Sequence, residues 1–231
     1  VDGLIERKLL LYRRHSDEVS VWHGTDANLR ERVVESRIAE SAKFNFIDFL
    51  RAEWPLPAIR ATEHNDRCRV RRYFERQYRF ANELENDALL EPLNTPEESR
   101  DGYIIHVLPV GDTKQKNAAI ENARRLTKMS NGRLVITIPQ EPVPLEQAAL
   151  ELAAIMRLQK DRALLDEDPL VAEELRQMED DARTHLLRLV ERVVTPNVKV
   201  SFVVNGELAT ITTLGSLRKN VSAICDRVYS K

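Results

Sequence analysis

Glycine is scarce in this chain, with seven residues among 231. The scarcity bears on chemistry, because loops that cradle phosphate need glycine for close backbone approach. GxxxxGKS, GxxxxGKT and a GxGxxG following a strand are all absent, as are GxSxG and HExxH, which disfavours nucleotide hydrolysis by this chain on its own. Cysteine is nearly absent too. Cys68 and Cys225 stand far apart, without CxxC or Cys/His spacing, which argues against a structural zinc site and a secreted disulfide scaffold and points to a reducing cytoplasm. An excess of positive charge is missing: 35 basic against 37 acidic residues give a net charge of -2, so a basic site must be local. No apolar run approaches the roughly 18 residues of a membrane span, and the opening VDGLIERKLLLYRR carries charges inside its apolar stretch, unlike a signal peptide. A start without methionine and an end on CDRVYSK within a helix-like pattern suggest a piece of a longer polypeptide.

What remains is globular, with 42% hydrophobic residues. Apolar runs at 9–13 and 19–22, separated by RHSDE, read as a β-hairpin. In SVWHGTDANL, Asp26 or Asn28 caps a following helix, Asn28 and Glu31 having capping-box spacing, and Leu29, Val33 and Val34 form its apolar stripe. FNFIDFL predicts a second helix ending at Trp54-Pro55. In RCRVRRYFERQYRF, Val70, Phe74, Tyr78 and Phe80 share one parity and Arg69, Arg71, Glu75 and Arg79 the other, which predicts a strand. The acidic stretch 81–101, with Pro92 and Pro96, marks a boundary between a unit at 1–96 and another at 97–231. YIIHVLPV and RLVITIP are near-continuous apolar strands joined by a helix that stops at Gly132, which makes a βαβ unit in a mixed sheet. Two long helices over about 144–194, the second opened by Asp168-Pro169, form an antiparallel helical hairpin. Val171, Leu175, Met178, Ala182, Leu186, Leu189 and Val193 are its seam. Asn205-Gly206 between NVKVSFVV and ELATITTL predicts a type I′ hairpin, and a helix over about 216–229 closes this α/β chain.

Three places invite chemistry. VGDTK follows the first buried strand, where α/β sheets place ligands, so Gly111, Asp112 and Thr113 form a candidate ligand site; Asp112 would repel phosphate, and a helix N-cap at Asp112 or Thr113 is the simpler reading. Arg67, Arg69, Arg71, Arg72, Arg76 and Arg79 interleave with Tyr73, Phe74 and Tyr78, which suits phosphate pairing with base stacking. Against that, the acids Glu83, Glu85, Asp87, Glu91, Glu97 and Glu98 follow at once and offer neutralisation within the chain. His106 lies within an apolar strand and reads as a hydrogen-bonded core histidine without a partner carboxylate. His23, Asp26, His64 and Asp66 lack the ordered carboxylates and lysine of a nuclease, so no metal site is assigned.

LYRRHSDEVSVWHGTDANL, RVRRYFERQYR, DGYIIHVLP, LVITIPQEP, DPLVAEEL and LRKNVSAICDRVYSK resemble, in this order, the region after the ATPase core of large bacterial P-loop proteins. These are the AAA-type ATP-binding proteins of phage-defence islands, the BREX BrxC/PglY-like group. Arg13, Arg14, Ser16, Asp17, Trp22, Gly24 and Asp26 match a winged-helix-like hairpin-and-helix pattern of that group, while His23 departs from it. The resemblance implies a parent chain that uses ATP and Mg2+ through Walker motifs outside this segment. It implies a non-catalytic coupling or interaction role here, with other domains, sister subunits or nucleic acid as partners and no membrane. An independent nucleic-acid-binding, degenerate nuclease or nucleotide-binding domain is the competing expectation.

Overall fold

The computed structural model describes residues 10–13, 18–21, 28–94, 101–108, 111–167 and 169–229. Trp22, His23, Gly24, Asp26, Pro109, Val110 and Asp168 lie outside the described residues, as do Glu97 and Glu98. The chain is mixed α/β and divides into two compact units: Val1–Phe44 with Leu145–Arg188, and Asn45–Pro144 with Leu189–Lys231.

In the first unit, β1 (Leu10–Arg13) pairs antiparallel with β2 (Glu18–Val21), Leu10 opposite Val21 and Arg13 opposite Glu18. Helix α1 (Leu29–Ser41) buries Leu29 and Val33, while Val34 stays exposed. Asn28 donates to Glu31 Oε2 but makes no side-chain bond to the helix backbone, so the expected capping box is replaced by a side-chain pair. Three later helices belong here: α6 (Leu145–Leu158), α7 (Arg162–Glu167) and most of α8 (Pro169–Val194). Leu29 and Val33 share one core with Ala154, Ile155, Leu164, Val171 and Leu175. Gln159 donates to the Leu175 carbonyl and Arg183 reaches Met156 Sδ, so α6 and α8 run antiparallel. The seam residues Val171, Leu175 and Leu186 are fully buried. The first helix of the hairpin, however, is not continuous. Its last amides bond three residues back, and the Asp161 carboxylate accepts from the Leu164 N–H to start α7 as a separate helix.

The second unit is built on a six-stranded sheet of order β3-β4-β5-β6-β7-β8. The strands are β3 (Ile59–Arg60), β4 (Tyr73–Arg79), β5 (Gly102–Val107), β6 (Leu134–Pro139), β7 (Val200–Val204) and β8 (Glu207–Ala209). Strands β4, β5 and β6 are parallel; β3 and β7 run against them. Every residue of β5 and β6 is buried, so both faces need cover. Helix α5 (Thr113–Met129) covers one face, Ala119, Ala123 and Leu126 packing with Tyr103, Ile105, Leu134 and Ile136. Helix α9 (Leu214–Tyr229) belongs to the other, Leu217, Val221, Ile224 and Cys225 packing with Phe74, Ile104, Val135 and Phe202. Gly102 begins β5 where an added Cβ would collide with the Arg133 carbonyl and the Phe74 ring. Asn205 and Gly206 take φ of 51° and 86°, as a type I′ turn requires.

Two expectations are corrected. The boundary near residue 96 is not there: β4 and β5 pair directly, Phe74 opposite Gly102 and Tyr78 opposite His106. The intervening acidic stretch is the crossover that parallel neighbours require. Its described part holds 3-10 turns at Ala81–Glu85 and Ala88–Leu90 and the helical turn α4 (Glu91–Asn94), whose Leu84, Leu89, Leu90 and Leu93 enter the α5 core. Nor does strand β4 extend back through the first arginines. Thr62–Cys68 is a helix, α3, that ends at Arg69 in the left-handed conformation, φ 54°. The remaining helix, α2 (Phe46–Glu53), is capped by Asn45 and stops before Pro55 as expected.

The two thiols should separate sharply. Cys68 is exposed, whereas Cys225 is fully buried and its thiol is pushed up to about 11 by that burial. A thiol-disulfide reagent at about pH 8 should label one cysteine in the native protein, none in Cys68→Ser, and both only on unfolding.

Candidate nucleic-acid interface

The arginine run is divided by the fold into parts with different work. Its first part is a groove of about 710 Å3 whose lining includes Arg60, Arg69, Arg71, Arg72 and Tyr73. The loop from Arg69 to Arg72 is held by Asn65, whose Oδ1 accepts the Arg72 N–H at 2.9 Å and whose Nδ2 donates to the Arg72 carbonyl at 2.9 Å. Asn65 thus pairs as a strand backbone would. The Ala61 N–H joins the same carbonyl at 3.1 Å and ties β3 to the loop. The result is that Arg60, Arg69 and Arg71 project exposed from a fixed backbone, and among the described residues no carboxylate pairs with any of them. Tyr73 is 39% exposed beside them. Asp66 is the carboxylate in the lining.

Arg72 shares the groove but is already occupied. It donates to Asp101 at 2.6 Å and lies over the Tyr229 ring, 3.4 Å from its centroid. Asp101 also accepts the Tyr73 N–H at 3.0 Å, so one carboxylate fixes the start of β4. Helix α3 is anchored separately. Buried His64 and surface Arg67 both bond Asp226 of α9, His64 through Nδ1 at 2.6 Å. The Arg67 guanidinium, followed by the His64 bond, holds the Asp226 carboxyl below its ordinary range, and Asp226 raises Arg67 in turn. His64 therefore belongs to Asp226 and not to Asp66. Among the described residues no three His, Cys, Asp or Glu side chains come together as a metal group.

Arg76 and Arg79 do not join the groove, which corrects their placement with the other arginines. Arg76 shares its face of β4 with buried Phe74 and Tyr78. Its Nε donates to His106 Nε2 at 3.1 Å and its Nη2 to the Val194 carbonyl at 2.6 Å. His106 Nδ1 meets Thr137 Oγ1 at 2.8 Å. Because Nε2 accepts, Nδ1 carries the proton and the ring is neutral. Burial, and then the Arg76 charge, hold the His106 pKa well below its ordinary value. Arg79 pairs with Gln77 and Glu83. Of the acids expected to neutralise the run, Glu83 does so and Asp87 binds Arg125 of α5 instead.

The described part of VGDTK, from Gly111 onward, is engaged in starting α5. Asp112 accepts the Gln115 N–H at 2.9 Å and the Gly111 N–H donates to Gln115 Oε1 at 3.2 Å, with Thr113 exposed in the first turn. The amide and carboxylate that a phosphate or its metal would need are spent on the cap, so the loop does not fit a nucleotide. No protein-family model, curated protein or solved structure matches the chain at a significant level.

Sequence reasoning missed the Arg76 to His106 bond, although parity already set Arg76 on the face of Phe74 and Tyr78. The bond carries a pH signature. The folded His106 pKa lies well below its unfolded value of about 6.5, so the unfolded chain binds more protons in acid. The His106 contribution to stability is complete above about pH 6.5 and declines as pH falls below it. Thermal unfolding should show a shallower acid decline in His106→Gln, which retains an acceptor and a donor without titrating.

Proposed function

We propose that this chain is a non-catalytic interaction segment whose working surface is the arginine groove, and that the groove takes the phosphate backbone of a nucleic acid. The observation that carries the reading is three exposed guanidinium groups, Arg60, Arg69 and Arg71, unpaired with any described carboxylate around one concavity. Asn65 holds the loop of Arg69 and Arg71, and pairing with β4 holds Arg60, before any ligand arrives, so binding has side chains but not backbone to order. The exposed Tyr73 ring adds a stacking surface that favours single strands. The likeness to large bacterial ATP-binding proteins of phage-defence islands would set this groove within a parent chain that spends ATP and Mg2+ elsewhere, with sister domains as further partners. Among the described residues no helix is long and apolar enough to cross a membrane.

Fluorescence anisotropy with labelled single-stranded and duplex DNA at low salt tests the reading. Three phosphate contacts predict a slope of log K against log salt of about -2 for single strands and about -3 for duplex. The variant Arg60→Ala/Arg69→Ala/Arg71→Ala should bind at least about tenfold more weakly with a flatter slope, and Tyr73→Ala should weaken single-strand binding by about 1–3 kcal/mol. Unchanged affinity in the triple variant would remove the proposal. Arg72 and Arg76 are left intact because their loss would disturb the Asp101 and His106 contacts. Calorimetry of the chain with ATP and Mg2+ should give no binding heat; tight binding abolished by Asp112→Ala would favour a nucleotide-binding domain instead.

A further inference from the structure

A second concavity, of about 380 Å3, opens at the other end of β4 and is lined by Arg51, Arg76 and Arg79 with Pro55 and Leu56; among the described residues no carboxylate lines it. Arg51 is held by Asp48 at 2.9 Å and by the Tyr78 carbonyl at 3.1 Å, and Arg79 by Glu83. Arg76 differs from both. It is half-buried, its two bonds go to the neutral acceptors His106 Nε2 and the Val194 carbonyl, and neither bond uses Nη1. A partly desolvated guanidinium without a carboxylate is costly, and an anion would relieve that cost. Two bonds fix the plane of the guanidinium in advance, so an incoming group meets an ordered donor. The place also suits a ligand, since it adjoins the carboxyl end of β4 within the parallel part of the sheet.

We infer that this cavity is an anion site for a small phosphomonoester, with the phosphate on Arg76 and its flanking arginines and an apolar substituent against Pro55 and Leu56. Arg51 and Arg79 are already met by Asp48 and Glu83, so the charge left over is centred on Arg76, and a phosphomonoester, with close to two negative charges and three terminal oxygens, relieves it more fully than a carboxylate with one charge and two oxygens. The flat apolar wall gives the organic part a surface that inorganic phosphate cannot use. Burial depresses the Arg76 pKa, as expected of a cation waiting without a counter-charge. The site is independent of the nucleic-acid groove and survives or falls separately.

The probes are inorganic phosphate, phenyl phosphate and benzoate, titrated into the full chain by NMR and calorimetry up to about 10 mM, ten times a millimolar Kd. Phenyl phosphate should bind saturably, several-fold tighter than inorganic phosphate and at least tenfold tighter than benzoate. Arg76→Gln should lower phenyl phosphate affinity at least tenfold. Leu56→Glu, which sets a competing carboxylate in the half-buried wall while leaving the Arg76 to His106 bond, should do the same while cooperative unfolding is retained. The triple groove variant Arg60→Ala/Arg69→Ala/Arg71→Ala should bind phenyl phosphate as the unaltered chain does. Absence of saturable binding, benzoate binding equal to phenyl phosphate, or loss in the groove variant with retention in both Arg76→Gln and Leu56→Glu would each overturn the inference.

Discussion

Strands β5 and β6 have no solvent face, since all residues of both are buried. A strand pair of that kind is stable only between two apolar layers, and alternate residues of β5 divide between them. Tyr103 and Ile105 go to the α5 side, Ile104 to the α9 side. This requirement organises the sheet unit. Helix α5 must return the chain for a parallel β6, the 3-10 turns after β4 must fill the rest of the α5 layer, and α9 must close the opposite face. The α9 layer then fixes α3 through Asp226, and α3 positions Asn65, which shapes the loop carrying Arg69 and Arg71. The exposed groove is thus a remote product of burying two strands.

The same face that buries Phe74 and Ile104 also buries a polar row. Tyr78 lies opposite His106 and His106 opposite Thr137 in the sheet register. Such a row within a core is tolerable because its groups satisfy one another: Arg76 donates to His106, His106 to Thr137, and the Tyr78 hydroxyl to the Trp54 carbonyl. Keeping the ring neutral is central to that balance. A protonated His106 would face the Arg76 guanidinium and lose its acceptor at once, so the cation at position 76 selects the neutral form of its neighbour.

What the sequence revealed follows where the driving force is local or strongly apolar. YIIHVLP and LVITIP read as buried strands because nothing else accommodates such runs, and Asn205-Gly206 read as a turn because both residues accept positive φ. Helix α3 was not legible. TEHNDRC has no apolar stripe, and its helical form depends on His64 and Arg67 reaching Asp226, about 160 residues further on. The boundary near residue 96 misled for a related reason: prolines and acids mark an exposed connection, but whether that connection leaves a domain or crosses a sheet is decided by strand pairing. Arg76 was half legible. Its parity with Phe74 and Tyr78 showed the face, while its partners lie 30 and 118 residues away.

The net charge of -2 hides how the arginines are distributed. Arg67, Arg72 and Arg79 each meet a carboxylate, at Asp226, Asp101 and Glu83, and these pairings belong to the packing of α3, the entry of β4 and the turn after it. Subtracting them leaves two kinds of cation on and around one strand. Arg60, Arg69 and Arg71 stand in solvent, where screening over about 10 Å confines their field to the groove. Arg76 stands half withdrawn from solvent, where a charge interacts more strongly and is more costly to leave alone. A balanced protein can therefore carry two positive sites of different character because neutralisation is local. The exposed set suits a polyanion bound by many weak, salt-sensitive contacts, and the recessed one suits a single compact anion.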